Sequence, residues 1–117
     1  MASGNEPRPF APVVSYTCTK LDTENYIHYV YANSVKKSND IKVIQLTFEL
    51  NCPAFDSFYN LFSVPSDCIP SVNTSTMVIT RTGSIFQITI DTSGIVKMVY
   101  NPILTNNTLV LISITYI

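Results

Sequence analysis

Charged side chains are scarce in this sequence. Asp, Glu, Lys and Arg together make up 13% of its 117 residues, where an ordinary soluble domain carries about 25%. The formal net charge is −1, so the chain lacks the excess of positive charge by which proteins hold nucleic-acid phosphates. We therefore expect no nucleic-acid partner. Because few charged groups cover the surface, we also expect copies of the chain to shield one another.

Side chains that carry chemistry are equally sparse. His28 is the only histidine, and neither a Cys-x-x-Cys nor a His-x-x-x-His spacing occurs, so no metal site is expected. No cysteine lies in a recognisable nucleophile motif, and the five aspartates are scattered along the chain, without the pairing that acid–base catalysis needs. The sequence predicts no catalytic residue, no cofactor and no enzymatic activity.

Long apolar runs are also missing. The longest extends from Leu109 to Ile112, far short of the roughly 18 residues that span a bilayer as a helix, so no membrane insertion is expected. The three cysteines are an odd number, and free buried thiols are the favoured interpretation, while a bridge between Cys52 and Cys68 stays open. Asn73 and Asn106 each begin a glycosylation sequon, whose use the sequence leaves open.

β-Branched residues dominate what is present. Val, Ile and Thr account for 37 residues, whereas Ala numbers four, and stiff β-branched side chains favour the pleated sheet. Glycine numbers three, which leaves Gly83 and Gly94 as the interior candidates for turn positions of positive φ. The composition therefore predicts an all-β fold.

The clearest strand is Ile44–Leu50, in which apolar and polar residues alternate as in a strand with one buried face. The aromatic spacing of residues 55–62 leaves helix and strand open. Further strands are predicted at Val13–Thr19, Tyr26–Ala32, Thr76–Arg81, Ser84–Asp91, Ile95–Asn101 and Thr108–Tyr116. About seven or eight short strands indicate an antiparallel β-sandwich or jelly-roll-like barrel over residues 13–117, after a flexible lead at residues 1–12.

The last strand, Thr108–Tyr116, is apolar on both faces near its start. That pattern is typical of an interior strand or of one that meets a partner subunit.

Two groups of residues are candidates for binding. Tyr26, Tyr29 and Tyr31 fall on both faces of one predicted strand, so at least one is expected to be exposed, where tyrosine suits a binding surface. Lys36 and Lys37, with Lys42 after them, form the one basic cluster. A solvated loop is the favoured interpretation of these lysines, and contact with an anionic glycan is the other.

Four segments resemble the C-terminal head domains of viral fibres, of the bacteriophage tail-fibre or adenovirus fibre-head type. They are Phe62–Pro65, Ile69–Pro70, Ile88–Val96 with its Asp91-Thr92-Ser93-Gly94 turn, and the closing Ile114–Ile117. The resemblance implies a homotrimer at the distal end of a fibre on the virion surface, with residues 1–12 as the shaft junction. It also implies binding to a host-cell receptor, protein or glycan. The alternative is a structural virion component, for fibre trimerisation or capsid decoration, without receptor binding.

Overall fold

A computed structural model describes residues 12–53, 55–81, 83–101 and 104–117. Except for Pro12, the predicted lead at residues 1–12 lies outside this range. The described residues form nine strands and a single 3-10 turn at Ser66–Cys68. The strands are β1 (Val14–Tyr16), β2 (Thr19–Lys20), β3 (Ile27–Ser38), β4 (Ile41–Cys52), β5 (Phe55–Ser63), β6 (Thr74–Ile79), β7 (Ile85–Ile90), β8 (Ile95–Asn101) and β9 (Leu104–Tyr116).

The strands form two antiparallel sheets. Sheet A has the order β1-β3-β4-β9, and sheet B has the order β2-β5-β8-β7-β6. Every neighbouring pair of strands is antiparallel. The predicted all-β sandwich is confirmed, with nine strands where seven or eight were expected.

The core lies between the sheets and follows the alternation of the sequence. On β4, Ile44, Leu46, Phe48 and Leu50 are fully buried, as the period-2 pattern predicts. Phe48 of sheet A meets Phe62 of sheet B with ring centroids 5.5 Å apart and an interplanar angle of 59°. Such tilted aromatic pairs add to the free energy gained by burying apolar area.

The predicted strand Val13–Thr19 is wrong as a single element, because the chain changes sheets within it. β1 pairs with β3 in sheet A, and β2 pairs with β5 in sheet B. At the crossing, Asn33 accepts a hydrogen bond from Cys18 N at 2.7 Å and donates one to Cys18 O at 2.9 Å. The Asn33 side chain thus provides hydrogen-bond partners for the backbone N–H and C=O of Cys18, which lies between the β1–β3 ladder and the β2–β5 ladder.

Two other elements are longer than their patterns predicted or left open. β3 continues six residues beyond Ala32 to Ser38, because it pairs on one side with β4 and on the other with β1. The open segment at residues 55–62 is the strand β5, paired with β8. In both cases pairing with the neighbouring strands determines the structure, since the hydrogen-bonded ladder outweighs the weak strand propensity of the local sequence.

β9 is an edge strand of sheet A and not an interior one. Its Val110, Ile112, Ile114 and Tyr116 are buried against the core, while Leu111 on the outward face is exposed. The interior interpretation of its apolar start is therefore wrong. The other interpretation, contact with a partner subunit, remains a proposal.

Lys42 is also not in a solvated loop. It lies in β4 on the inward face and is only 7% exposed. Its Nζ lies 3.4 Å from Ile69 O and 5.5 Å from the centroid of the Tyr116 ring. A carbonyl acceptor and an aromatic face thus receive the ammonium group, which accounts for its tolerance in the interior.

Candidate functional site

Two exposed tyrosines form a pair on the outer face of β3. Tyr29 is 61% exposed and Tyr31 58% exposed, and their ring centroids lie 5.0 Å apart with an interplanar angle of 33°. Side chains two residues apart lie on the same face of a strand. We call Tyr29 and Tyr31 the tyrosine pair.

Irregular pairing of β3 with β4 surrounds the tyrosine pair. The register slips once between Ile27 and Tyr29 and again between Val30 and Ala32. A bulge adds a residue to one strand, bends it and redirects the side chains beside it. Both slips fall within six residues of sequence: the first lies immediately before Tyr29, and the second contains Tyr31. Period-2 reasoning assumes a regular ladder, so the sequence analysis missed these bulges.

Glu49 of β4 completes the tyrosine site. Its Oε2 accepts a hydrogen bond from the Tyr31 hydroxyl at 2.5 Å, and Glu49 is the cross-strand partner of Tyr29. This hydrogen bond is the main reason that the pKa of Tyr31 is raised, because it stabilises the protonated phenol. Glu49 was not among the sequence candidates. The alternating pattern of β4 places the Glu49 side chain on the outward face, and this pattern could have identified it.

The arrangement offers two kinds of contact to a ligand. The aromatic rings present solvent-exposed apolar area that a ligand can bury. The Glu49 carboxylate and the two phenol hydroxyls offer hydrogen-bonding groups beside the rings. Exposed tyrosine beside a fixed acceptor suits recognition of sugars or polar peptides.

Tyr26 does not belong to this site. It precedes β3, packs partly buried against the core and lies 5.1 Å from the Tyr59 ring at an interplanar angle of 47°. Its backbone N–H donates to Asp22 Oδ1 at 2.9 Å, and the Tyr59 hydroxyl donates to the same carboxylate oxygen. Tyr26 therefore helps to hold the loop before β3 to sheet B.

The two candidate lysines lie at the far end of β3. Lys36 is five residues beyond Tyr31, which is about 16 Å along a strand. Lys37 donates a hydrogen bond from Nζ to Asp67 O at 2.8 Å, so its ammonium group contacts another segment of the fold. Lys36 is exposed beside a shallow depression of about 390 Å³ that Val13, Ile41 and Val43 also line. The structure does not bring the lysines together with the tyrosine pair.

The cysteines and Asn73 occupy positions that serve the fold. Cys18, Cys52 and Cys68 are buried and form no disulfide, and burial raises the pKa of the Cys18 thiol to about 12, which disfavours the reactive thiolate. Asn73 accepts a hydrogen bond from Thr92 N at 3.0 Å, while the Asn106 side chain lies outside the described part.

The described part of the chain contains neither a cluster of metal-ligating side chains nor a membrane-spanning helix. No group of three His, Cys, Asp or Glu side chains there could hold a metal ion. Within the same residues, no helix is long and apolar enough to cross a bilayer.

No protein-family model matches this sequence, and no curated protein matches it either. The function must therefore be argued from the geometry of the chain itself.

Proposed function

We propose that this chain is a non-enzymatic attachment domain that binds a receptor on a host-cell surface, protein or glycan. In this proposal the domain acts as a homotrimer at the distal end of a viral fibre, on the virion surface. The observation that carries the proposal is the tyrosine pair, because two adjacent rings that are each more than half exposed present aromatic area that a partner can cover.

The contacts around the pair support a recognition role. The adjacent strands β3 and β4 of sheet A hold the site, and the hydrogen bond from Tyr31 to Glu49 orients one ring in the absence of a ligand. A preorganised aromatic surface loses little conformational entropy on binding. The low charge of the chain, 13%, is consistent with a domain whose copies cover part of one another's surface.

Binding of the full chain to a glycan array and to intact cells tests the proposal. We expect saturable, competable binding by the wild type and a loss of at least about tenfold in the double variant Tyr29→Ala/Tyr31→Ala, since central aromatic contacts each contribute about 2 kcal/mol or more at hot spots. Ile41→Ala is the matched control, because Ile41 is also exposed at the start of β4, and it should bind as the wild type does. Equal binding by the double variant would contradict the proposed site.

The second candidate is a structural virion component without receptor binding. Exposed apolar side chains on the outer face of sheet B, among them Ile79 and Ile85, favour this role, because such side chains serve packing. A stable oligomer that binds no glycan and no cell at high concentration would favour the structural role over attachment.

A further inference from the structure

Four large apolar side chains crowd the outer face of sheet B. Phe58, Met77, Ile79 and Ile85 are 56%, 59%, 71% and 52% exposed. Ile79 and Ile85 are direct cross-strand partners, and the row from Met77 through Gln87 and Val99 ends at Phe58. We call these four residues the apolar stripe. Exposed apolar side chains grouped on one face of a sheet are typical of an interaction surface.

The stripe adjoins an open edge of the sandwich. β6 is an edge strand of sheet B, β9 is an edge strand of sheet A, and the two contact each other. Neither Thr74–Ile79 nor Leu104–Tyr116 contains a charged residue or a proline. Natural sheets protect their edges with charges, prolines or very short strands. The opposite edge follows that rule, because β1 and β2 have three and two residues.

The charges around the stripe indicate what kind of partner it fits. Lys97 pairs with Asp91 at 3.0 Å, and its Nζ lies 4.6 Å from the centroid of the Phe58 ring. Arg81 lies beyond the end of β6. The ion pair is neutral and Arg81 adds one positive charge near the end of the stripe, so the stripe offers only a weak field to attract a highly charged partner. A second copy of this surface therefore meets little repulsion, and the open backbone groups of an edge strand can pair with a strand of another copy.

We propose that the apolar stripe is the surface through which copies of this chain pack against one another. The inference rests on the self-association in the proposed function and adds which face is buried by it. The stripe and the tyrosine pair lie on the outer faces of different sheets. Packing through the stripe buries sheet B between copies and leaves the tyrosine pair accessible.

The test is the solution mass of three full-length proteins by light scattering over a range of concentrations. The wild type should have a multiple of 13.0 kDa, near three times that mass for a homotrimer. Ile79→Lys/Ile85→Lys should fall to the mass of one chain, because two buried cations oppose association. Ile41→Lys, at a residue 53% exposed at the start of β4 in the interior of sheet A, is the matched control and should keep the wild-type mass.

Three results would overturn the inference. They are a wild type that stays monomeric at high concentration, a stripe variant that keeps the wild-type mass, and an Ile41→Lys protein that dissociates as the stripe variant does. Should the lysine variant not fold by circular dichroism, Ile79→Thr/Ile85→Thr replaces it, since threonine keeps strand propensity, and the same masses decide. Loss of receptor binding with an intact oligomer would instead count against the attachment proposal alone.

Discussion

The two sheets of this sandwich have similar inner faces and different outer faces. Inside, both present fully buried aliphatic and aromatic side chains, such as Leu46 in sheet A and Ile88 in sheet B. Outside, sheet A carries the tyrosine pair held by Glu49, whereas sheet B carries the apolar stripe. Burial of apolar area within one copy constrains the inner faces most strongly, so the outer faces are freer to differ.

The largest expected effect on stability is found by comparing two phenylalanines of β5, one in the core and one in the apolar stripe. Phe62→Ala should lower the free energy of unfolding by about 3–5 kcal/mol, because Phe62 is fully buried against Phe48. Phe58→Ala should cost about 1 kcal/mol, chiefly the contact with Lys97. Urea unfolding of dilute protein measures both. Equal costs would mean that the stripe belongs to the core of one copy, and the comparison of outer faces would fail.

A second prediction compares two turns of sheet B. Gly83 and Gly94 both have positive φ, at 90° and 83°. A Cβ at Gly94 would lie 3.1 Å from side-chain carbons of Val64 and of Ile69, whereas a Cβ at Gly83 would meet nothing within 4 Å. Gly94→Ala should therefore cost about 2–3 kcal/mol and Gly83→Ala about 1–2 kcal/mol.

A turn of sheet A is the comparison for the two glycine turns of sheet B. Its β3–β4 turn uses Asn39 at φ 55°, within the range that asparagine tolerates. Asn39→Gly should change stability by less than about 1 kcal/mol, as thermal unfolding of the three variants would show. A larger loss at Asn39 than at Gly94 would reverse the predicted order.

A pH titration compares tyrosines with carboxylate partners in the two sheets. Burial, followed by the hydrogen bond to Asp22, raises the pKa of Tyr59 in sheet B from 10.0 to about 12. Because the folded pKa lies above the unfolded one, the stabilisation from this group is complete below pH 10 and is lost as the pH rises through 12. Ultraviolet absorbance of the phenolate follows the titration. Asp22→Asn should lower the pKa of Tyr59, and an unchanged titration would show that burial alone sets it.

The smallest effect is expected at the tyrosine pair. Glu49→Gln removes the carboxylate that raises the pKa of Tyr31, so Tyr31 should ionise at lower pH in the variant. Stability should change by less than about 1 kcal/mol, because both groups are solvent-accessible. A major loss of stability would show that the tyrosine pair serves the fold, which would weaken the case for a binding surface.

Much of the fold could be predicted because strand alternation is a local property. Ile44–Leu50 alternates clearly and lies within β4, and the predicted Ile95–Asn101 coincides with β8. The facing of Phe86, Ile88 and Ile90 toward the core was likewise predictable from the period of two.

The site was only partly predictable. The sequence placed Tyr29 and Tyr31 on one face of a strand, opposite Tyr26, and the structure exposes both. Glu49 escaped notice because it is 18 residues from Tyr31 in sequence. The position of Lys42 escaped notice for a similar reason, since Ile69 and Tyr116, which receive its ammonium group, are distant in sequence.

The sequence by itself determined the class of fold and which apolar residues of the clearly alternating strands face inward, because β-branched composition and period-2 alternation act between near neighbours in the chain. Only the tertiary structure decided which strands lie at the edges, where the chain changes sheets and where the ladder bulges. Those features depend on pairing between distant segments, whose partners no local pattern specifies. The division into a tyrosine face and an apolar face follows from that pairing.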